Sequence, residues 1–231
     1  MTALADTGDL PVSGRLASYY ELRGNYAGSS FTHLQDLHPS STDPTRMTVA
    51  DLHAVSLLSV RVPPAATRAL IDNIDGHANN VNKALLALHE RGVRNLRDAD
   101  ADVLEAMEAI ANAIMDACRH RGTKRTSTPW VLAAKLVARK APNLFPVRDN
   151  IVCTALGLLG PGKGRGSWQI DWQVYRALVR DDEVRVAIEA AQDRLNALGQ
   201  ATHGHEQDEL RVLDAAMWTY EIWRIAAGGR N

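Results

Sequence analysis

The pattern of apolar and polar positions along the chain is helical in most segments. Apolar side chains recur at intervals of three and four residues, and no alternating pattern of useful length indicates a β-strand. The clearest stripe follows Asp100 and consists of Leu104, Met107, Ala111, Ile114 and Cys118. The pattern predicts an all-α protein, a compact multi-helix domain of about eight to ten helices.

Start and stop signals place the individual helices. Thr48 and Asp51 have the spacing of a capping pair, Pro64 suits a first helical turn, and Gly92 suits a C-terminal stop. We expect helices over 49–60, 64–75, 78–91, from Asp98 or Asp100 onward, 130–140, 150–159, 168–179, 184–198 and 206–227. We also expect a flexible N-terminal arm with a short helix over 1–46 and a single helical domain over 47–231.

Composition is that of an ordinary soluble protein. The chain has 231 residues, of which 45% are hydrophobic and 23% charged. No apolar run approaches 18 residues and no segment has the form of a signal peptide, so we expect a cytoplasmic protein without a membrane partner. Cys118 and Cys153 lie in apolar surroundings without CxxC spacing, which predicts buried thiols.

No metal or cofactor is predicted. His203 and His205 lie beside acidic residues, but their spacing supplies only two convergent donors, and a zinc site needs three or four ligands. The glycine-rich stretch "GPGKGRGS" fails the spacing of a phosphate-binding loop. Its Lys163 and Arg165 could still contact a nucleic-acid backbone through charge alone.

Charge is distributed unevenly along the chain. Between Arg119 and Arg165 there are ten Lys and Arg residues and one acid, Asp149, so this basic central block carries +9 within a chain of net charge −1. Such asymmetry favours a surface for a polyanion. A basic face that pairs with acidic helices of the same protein would give the same pattern, and both interpretations stay open.

The stretch "APNLFPVRDN" places Asp149 directly before the helix expected from Asn150. Aspartate is a preferred N-cap because it accepts hydrogen bonds from exposed N–H groups and is favoured by the helix dipole. Asp149 therefore either caps the helix alone or combines capping with a catalytic or ligand-binding role. A pairing with Arg139 or Arg148 is compatible with both.

Three strings carry a resemblance to a bacterial domain family of unknown function. They are "AAKLVARKAPNLFPVRDNIV" in the centre, "RVLDAAMWTYEIW" near the C-terminus and "TVADLHAVSLLSVRVPP" near the start. The resemblance covers most of residues 45–225 and is most specific in the central string.

The central string is also similar, more weakly, to the helix-hairpin-helix DNA glycosylases. In that superfamily a Gly-Val-Gly turn presents N–H groups to a DNA phosphate, a lysine in some members attacks the sugar, and a carboxylate assists cleavage of the glycosidic bond. By this resemblance Ser127, Thr128 and Pro129 occupy the turn. Val131 then falls at the lysine position and Asp149, 18 residues later, at the carboxylate position. This turn lacks the glycines that allow the backbone to approach a phosphate closely. Without the lysine, lyase chemistry is not expected.

The resemblance implies a DNA-binding protein of helix-hairpin-helix glycosylase-like type, acting as a monofunctional glycosylase with Asp149 as the catalytic carboxylate. The alternative is a non-catalytic nucleic-acid-binding or protein-interaction module that retains the fold. The expected base-stacking residues are Trp130 and Trp168. The expected nucleic-acid contacts are Arg121, Lys124, Arg125, Ser127, Thr128, Lys135, Arg139, Arg148, Lys163 and Arg165.

Overall fold

The chain is all-helical in a computed structural model that describes residues 27–31, 34, 43–119, 129–159, 168–197 and 209–228. These ranges contain nine α-helices and no strand, as the sequence pattern predicts. The helices are α1 (Val49–Ala54), α2 (Pro64–Ile71), α3 (His77–Glu90), α4 (Ala101–Cys118), α5 (Trp130–Lys140), α6 (Asn150–Ala155), α7 (Trp168–Arg180), α8 (Asp182–Ala197) and α9 (Glu209–Gly228). Short 3-10 helices lie at Ala27–Ser30, Val55–Leu58, Ile74–Gly76 and Leu96–Asp98.

Two compact units divide the chain. One unit is Ser30–Phe145 and the other combines Met1–Ser29 with Pro146–Asn231. The expected single domain over 47–231 stays a prediction, and the expected arm over 1–46 lies largely outside the described residues.

The first unit is built around α4. This helix packs against α2, α3 and α5, and α1 packs against α5. The stripe predicted on α4 is buried from Leu104 to Cys118, as expected for a core-facing helix. Asp100 caps α4 by accepting a hydrogen bond from the Val103 N–H at 2.9 Å. At the start of α1, Thr48 and Asp51 form the predicted capping box.

In the second unit, α9 packs against α6 and α8, and α7 packs against α8. Trp172 and Tyr175 of α7 are fully buried, and every residue of α9 from Leu210 to Met217 is buried. Helix α9 is therefore buried over its first half, whereas its last turn is exposed from Arg224 to Ala227.

Three predicted helices end earlier than their apolar pattern indicates. Helix α2 ends at Ile71 instead of residue 75, and Asn73 just beyond it is left-handed with φ +56°. The α1 segment tightens into a 3-10 turn at Val55–Leu58. Helix α6 ends at Ala155 instead of Leu159, because Gly157 adopts the left-handed conformation with φ +70°. The N–H groups of Gly157 and Leu158 then bond to the carbonyls of Thr154 and Cys153, which is the Schellman arrangement that terminates a helix.

Candidate functional site

The segment Pro146–Asp149 is held at three consecutive residues by three helices of the second unit. The Val147 N–H donates a hydrogen bond of 2.6 Å to the Oδ2 atom of Asp214 on α9. Arg148 forms a buried ion pair with Asp171 of α7. Asp149 accepts a hydrogen bond of 2.9 Å on Oδ1 from the Val152 N–H in the first turn of α6. Asp214 and Asp171 lie far along the chain from this segment, so two of the three contacts depend on the tertiary fold, and only the cap of α6 is local.

Asp149 is the N-cap of α6, as its sequence position predicts. Its backbone is extended, and its side chain accepts from the third helical N–H, which is the usual capping geometry. The residue is half-buried, whereas Val147 and Arg148 before it and Val152 after it are buried. The cap bond engages one of the two carboxylate oxygens, so Asp149 retains a second oxygen that the cap does not use.

Arg148 of this segment packs against Trp168 at the start of α7, and Trp168 in turn lies close to Trp172. The guanidinium carbon of Arg148 lies 5.8 Å from the centroid of the Trp168 ring, within the range of a cation–π contact. The Trp168 and Trp172 rings lie 6.2 Å apart in a tilted arrangement. Trp172 is buried, but Trp168 is half-buried. Trp168 thus keeps part of its ring accessible next to an arginine that is fixed by Asp171.

Beneath the segment lies a buried polar cluster centred on Asp214. Burial raises the pKa of Asp214 to about 7, against the lowering effects of Arg211 and of the Val147 hydrogen bond. The Tyr175 hydroxyl faces the same carboxylate, but outside standard hydrogen-bond geometry, so the Val147 N–H is the firmer contact of Asp214. Burial also raises the pKa of Tyr175, and it raises the pKa of Cys153 to about 11.

The charge of Asp149 raises the pKa values of Asp214, Tyr175 and Cys153, which means that Asp149 lies within electrostatic reach of the cluster. A half-buried carboxylate above a buried acid is therefore the main chemical feature of this site. Such an arrangement can stabilise a developing positive charge or accept a proton.

Three of the predicted nucleic-acid contacts are buried. The Lys135 amino group donates to the Leu58 carbonyl at 2.8 Å, and Arg139 donates to the Phe31 carbonyl at 2.8 Å. Arg148 is 4% exposed and pairs with Asp171 as described above. Phosphate contacts need a charged end in solvent, which these three buried side chains do not offer.

Asp51 of α1 forms ion pairs with two of the three cations of α5, Arg139 and Lys140. It lies 3.4 Å from the Nε of Arg139 and 2.9 Å from the Nζ of Lys140, and all three side chains are buried. One acid therefore neutralises two cations of the basic central block within the first unit. The sequence interpretation in which basic residues pair with acids of the same protein describes this part of the block.

The remaining predicted contacts divide into two groups. Trp130, a base-stacking candidate, is buried at the start of α5, and Val131, at the expected lysine position, is half-buried. The other candidates lie outside the described residues: Arg121, Lys124, Arg125, Ser127, Thr128, Lys163 and Arg165.

Asp171 and Asp214 are the functional-site residues that sequence reasoning missed. Both are acids within strongly apolar helical stretches, "WQIDW" and "RVLDAAMW". A carboxylate on a core-facing position is rare unless it is paired. That signal could have indicated buried partners for Arg148 and for a backbone N–H group.

Over the described ranges, no cluster of three His, Cys, Asp or Glu side chains could hold a metal ion, and His203 and His205 fall outside them. No helix among the described residues is long and apolar enough to cross a membrane. The cytoplasmic location stays a prediction.

In its described parts the chain is an all-helical protein in which a clamped segment presents a helix-capping carboxylate above a buried acid. The model of the family of unknown function DUF6308 matches residues 12–221, and the chain belongs to this family. Comparison with curated proteins finds no match, and comparison with solved structures finds none either. The family resemblance is thus confirmed in its coarser form, and the similarity to helix-hairpin-helix glycosylases stays a prediction.

Proposed function

We propose that this protein binds DNA and removes a modified base as a monofunctional glycosylase, with Asp149 as the reacting carboxylate. The observation that carries the proposal is the setting of Asp149, which is half-buried at a helix N-terminus on a segment clamped by three helices. Clamping of this kind is what preorganised electrostatic catalysis requires, because the carboxylate then needs no reorganisation during the reaction.

The chemistry assigned to Asp149 is stabilisation of an oxocarbenium-like sugar or activation of a water molecule. The base would be held out of the stack while the glycosidic bond breaks. Val131 stands at the position where a lysine would form a Schiff base, so the proposal excludes lyase chemistry of that kind. Trp168, half-buried beside Arg148, is the candidate surface for stacking of a base.

Two segments of the basic central block, residues 121–125 and 163–165, are the candidates for phosphate contacts. They hold five of the ten cations of the basic central block. The other five all make intramolecular contacts: Arg119, Lys135, Arg139, Lys140 and Arg148. The proposal therefore assigns the phosphate contacts to the two segments.

A second candidate is a non-catalytic nucleic-acid-binding protein that retains the fold. The specific observation in its favour is that capping of α6 accounts for the position of Asp149 without any reaction. A protein-interaction module is favoured instead by the pairing of Arg139 and Lys140 with Asp51, which leaves less of the basic block for a polyanion.

The test of catalysis compares Asp149→Asn with Asp100→Asn. Asp100 caps α4 with the same geometry, a 2.9 Å bond from the third helical N–H, so the two variants suffer matched changes in capping. Oligonucleotides with single modified bases are incubated with each protein and abasic sites are counted. We expect Asp149→Asn to lose roughly a hundredfold or more in rate, as for removal of one electrostatic group, and Asp100→Asn to retain activity. Equal activity of the two variants would refute the catalytic role of Asp149.

The test of binding measures DNA affinity against salt for Lys124→Gln/Arg125→Gln and for a control double variant, Lys83→Gln/Arg61→Gln. The control residues are exposed cations outside the basic block. We expect the first variant to reduce the slope of log K against log salt by about 2 and the control to leave it unchanged. Binding without base release from any substrate would favour the second candidate, and affinity that does not respond to salt would contradict both DNA functions.

A further inference from the structure

Asp214 is joined directly to the segment that ends in Asp149. Its Oδ2 atom accepts the Val147 N–H at 2.6 Å across 67 residues of sequence, and the residue is 4% exposed. Asp149 follows Val147 by two residues, and planar peptide units leave only a few soft dihedral angles between them. On the other side Asp149 is fixed by the Val152 N–H. The position of the Asp149 carboxylate is therefore fixed by two hydrogen bonds. One is its own bond from the Val152 N–H, and the other is the bond from the Val147 N–H to Asp214.

The strength of that hold depends on the charge of Asp214. A carboxylate accepts a shorter and stronger hydrogen bond from an N–H group than a neutral acid does. Several groups face Asp214 from the elements around it. Arg211 lies 3.7 Å away on α9 itself, Tyr175 approaches from α7, and Asp149 and Cys153 approach from α6. Arg148 beside them is paired with Asp171, and the buried residues of α8 are Val184, Ile188 and Leu195, which are apolar.

We propose that Asp214 is a positioning residue for Asp149: its carboxylate holds the Val147 amide, and the gain of a proton by Asp214 loosens that hold. Burial raises the pKa of Asp214 to about 7, so the change from tight to loose falls near neutral pH. Only the effect on base release rests on the function proposed above. The effect on the Val147 amide does not depend on it.

The first measurement follows the Val147 amide by NMR in the full chain. In the wild type its proton signal moves downfield as pH rises through about 7, because the acceptor becomes charged. In Asp214→Asn, which keeps an acceptor oxygen but cannot ionise, that movement is absent. In Asp214→Ala the hydrogen bond is lost, and the amide exchanges with solvent roughly 10- to 100-fold faster. Glu221→Gln, a second buried acid of α9 that pairs with Arg224, is the control and leaves the Val147 signal unchanged.

The second measurement is the pH profile of base release for the same proteins. The wild type gains rate as Asp214 loses its proton, and Asp214→Asn shows no such step while it retains the activity of the low-pH form. Should the wild type release no base from any substrate, the proposed function fails, yet the Val147 amide still decides the positioning role. A Val147 signal that ignores pH from 5 to 9 in the wild type overturns the inference. If Asp214→Ala does not fold, the Asp214→Asn comparison alone decides it.

Discussion

Asp214→Asn tests the energetic consequence of burying an ionisable acid in the second unit. Moving the pKa of a carboxyl group from 3.8 to about 7 corresponds to roughly 4 kcal/mol, at about 1.4 kcal/mol per pH unit. Because the pKa is raised, the native state keeps its proton at pH values where the unfolded chain has lost it. Stability from this group is therefore highest below the unfolded pKa and falls as pH rises through the window from about 4 to about 7.

The assay is urea denaturation of the wild type and of Asp214→Asn at several pH values from 5 to 8. Every group common to both proteins cancels in the difference. Integrated from pH 5 to pH 8, the linkage relation predicts that the wild type loses roughly 2.5 kcal/mol of unfolding free energy relative to Asp214→Asn. The asparagine oxygen can still accept the Val147 N–H, so other costs of the substitution do not vary with pH.

A difference in unfolding free energy that stays constant from pH 5 to pH 8 would refute this reasoning. It would mean that Asp214 is charged throughout, and therefore that Arg211 and the Val147 amide compensate its burial completely.

Three further predictions concern other buried or strained positions. Burial raises the pKa of Cys118 to about 12 and that of Cys153 to about 11. We therefore expect both thiols to react with Ellman's reagent at least about 100-fold faster in urea than in the native protein. Similar rates in both conditions would contradict their burial. Asp51→Asn leaves two buried cations without their acid and should lower the free energy of unfolding, measured by urea denaturation, by about 3–5 kcal/mol. Asp72→Asn, in an exposed ion pair, should lower it by less than about 1 kcal/mol. Comparable losses would show that the Asp51 network is well hydrated. Gly157→Ala puts a Cβ on a residue with φ +70° and should lower the free energy of unfolding by about 1–2 kcal/mol. A variant as stable as the wild type would argue against the Schellman end of α6.

The all-α class and most helix positions could be predicted from the sequence because they depend on local patterns. The stripe on α4, the capping box at Thr48 and the proline at the start of α2 all act within a few residues of sequence. Asp149 was recognised as an N-cap for the same reason. Helix ends were less certain, since the apolar pattern of α6 continues beyond Gly157, where the backbone turns left-handed.

The partners of charged residues could not be predicted, because charge in a sequence does not reveal which side chains meet. Lys135, Arg139 and Arg148 belong to the most basic part of the chain, yet the fold buries them against carbonyl groups and two acids that lie far away in sequence. By itself the sequence determined the helices, the cap at Asp149 and the uneven charge. Only the tertiary structure decided that Asp214 and Asp171 close around Pro146–Asp149, since contacts across 67 residues depend on packing and not on local propensity.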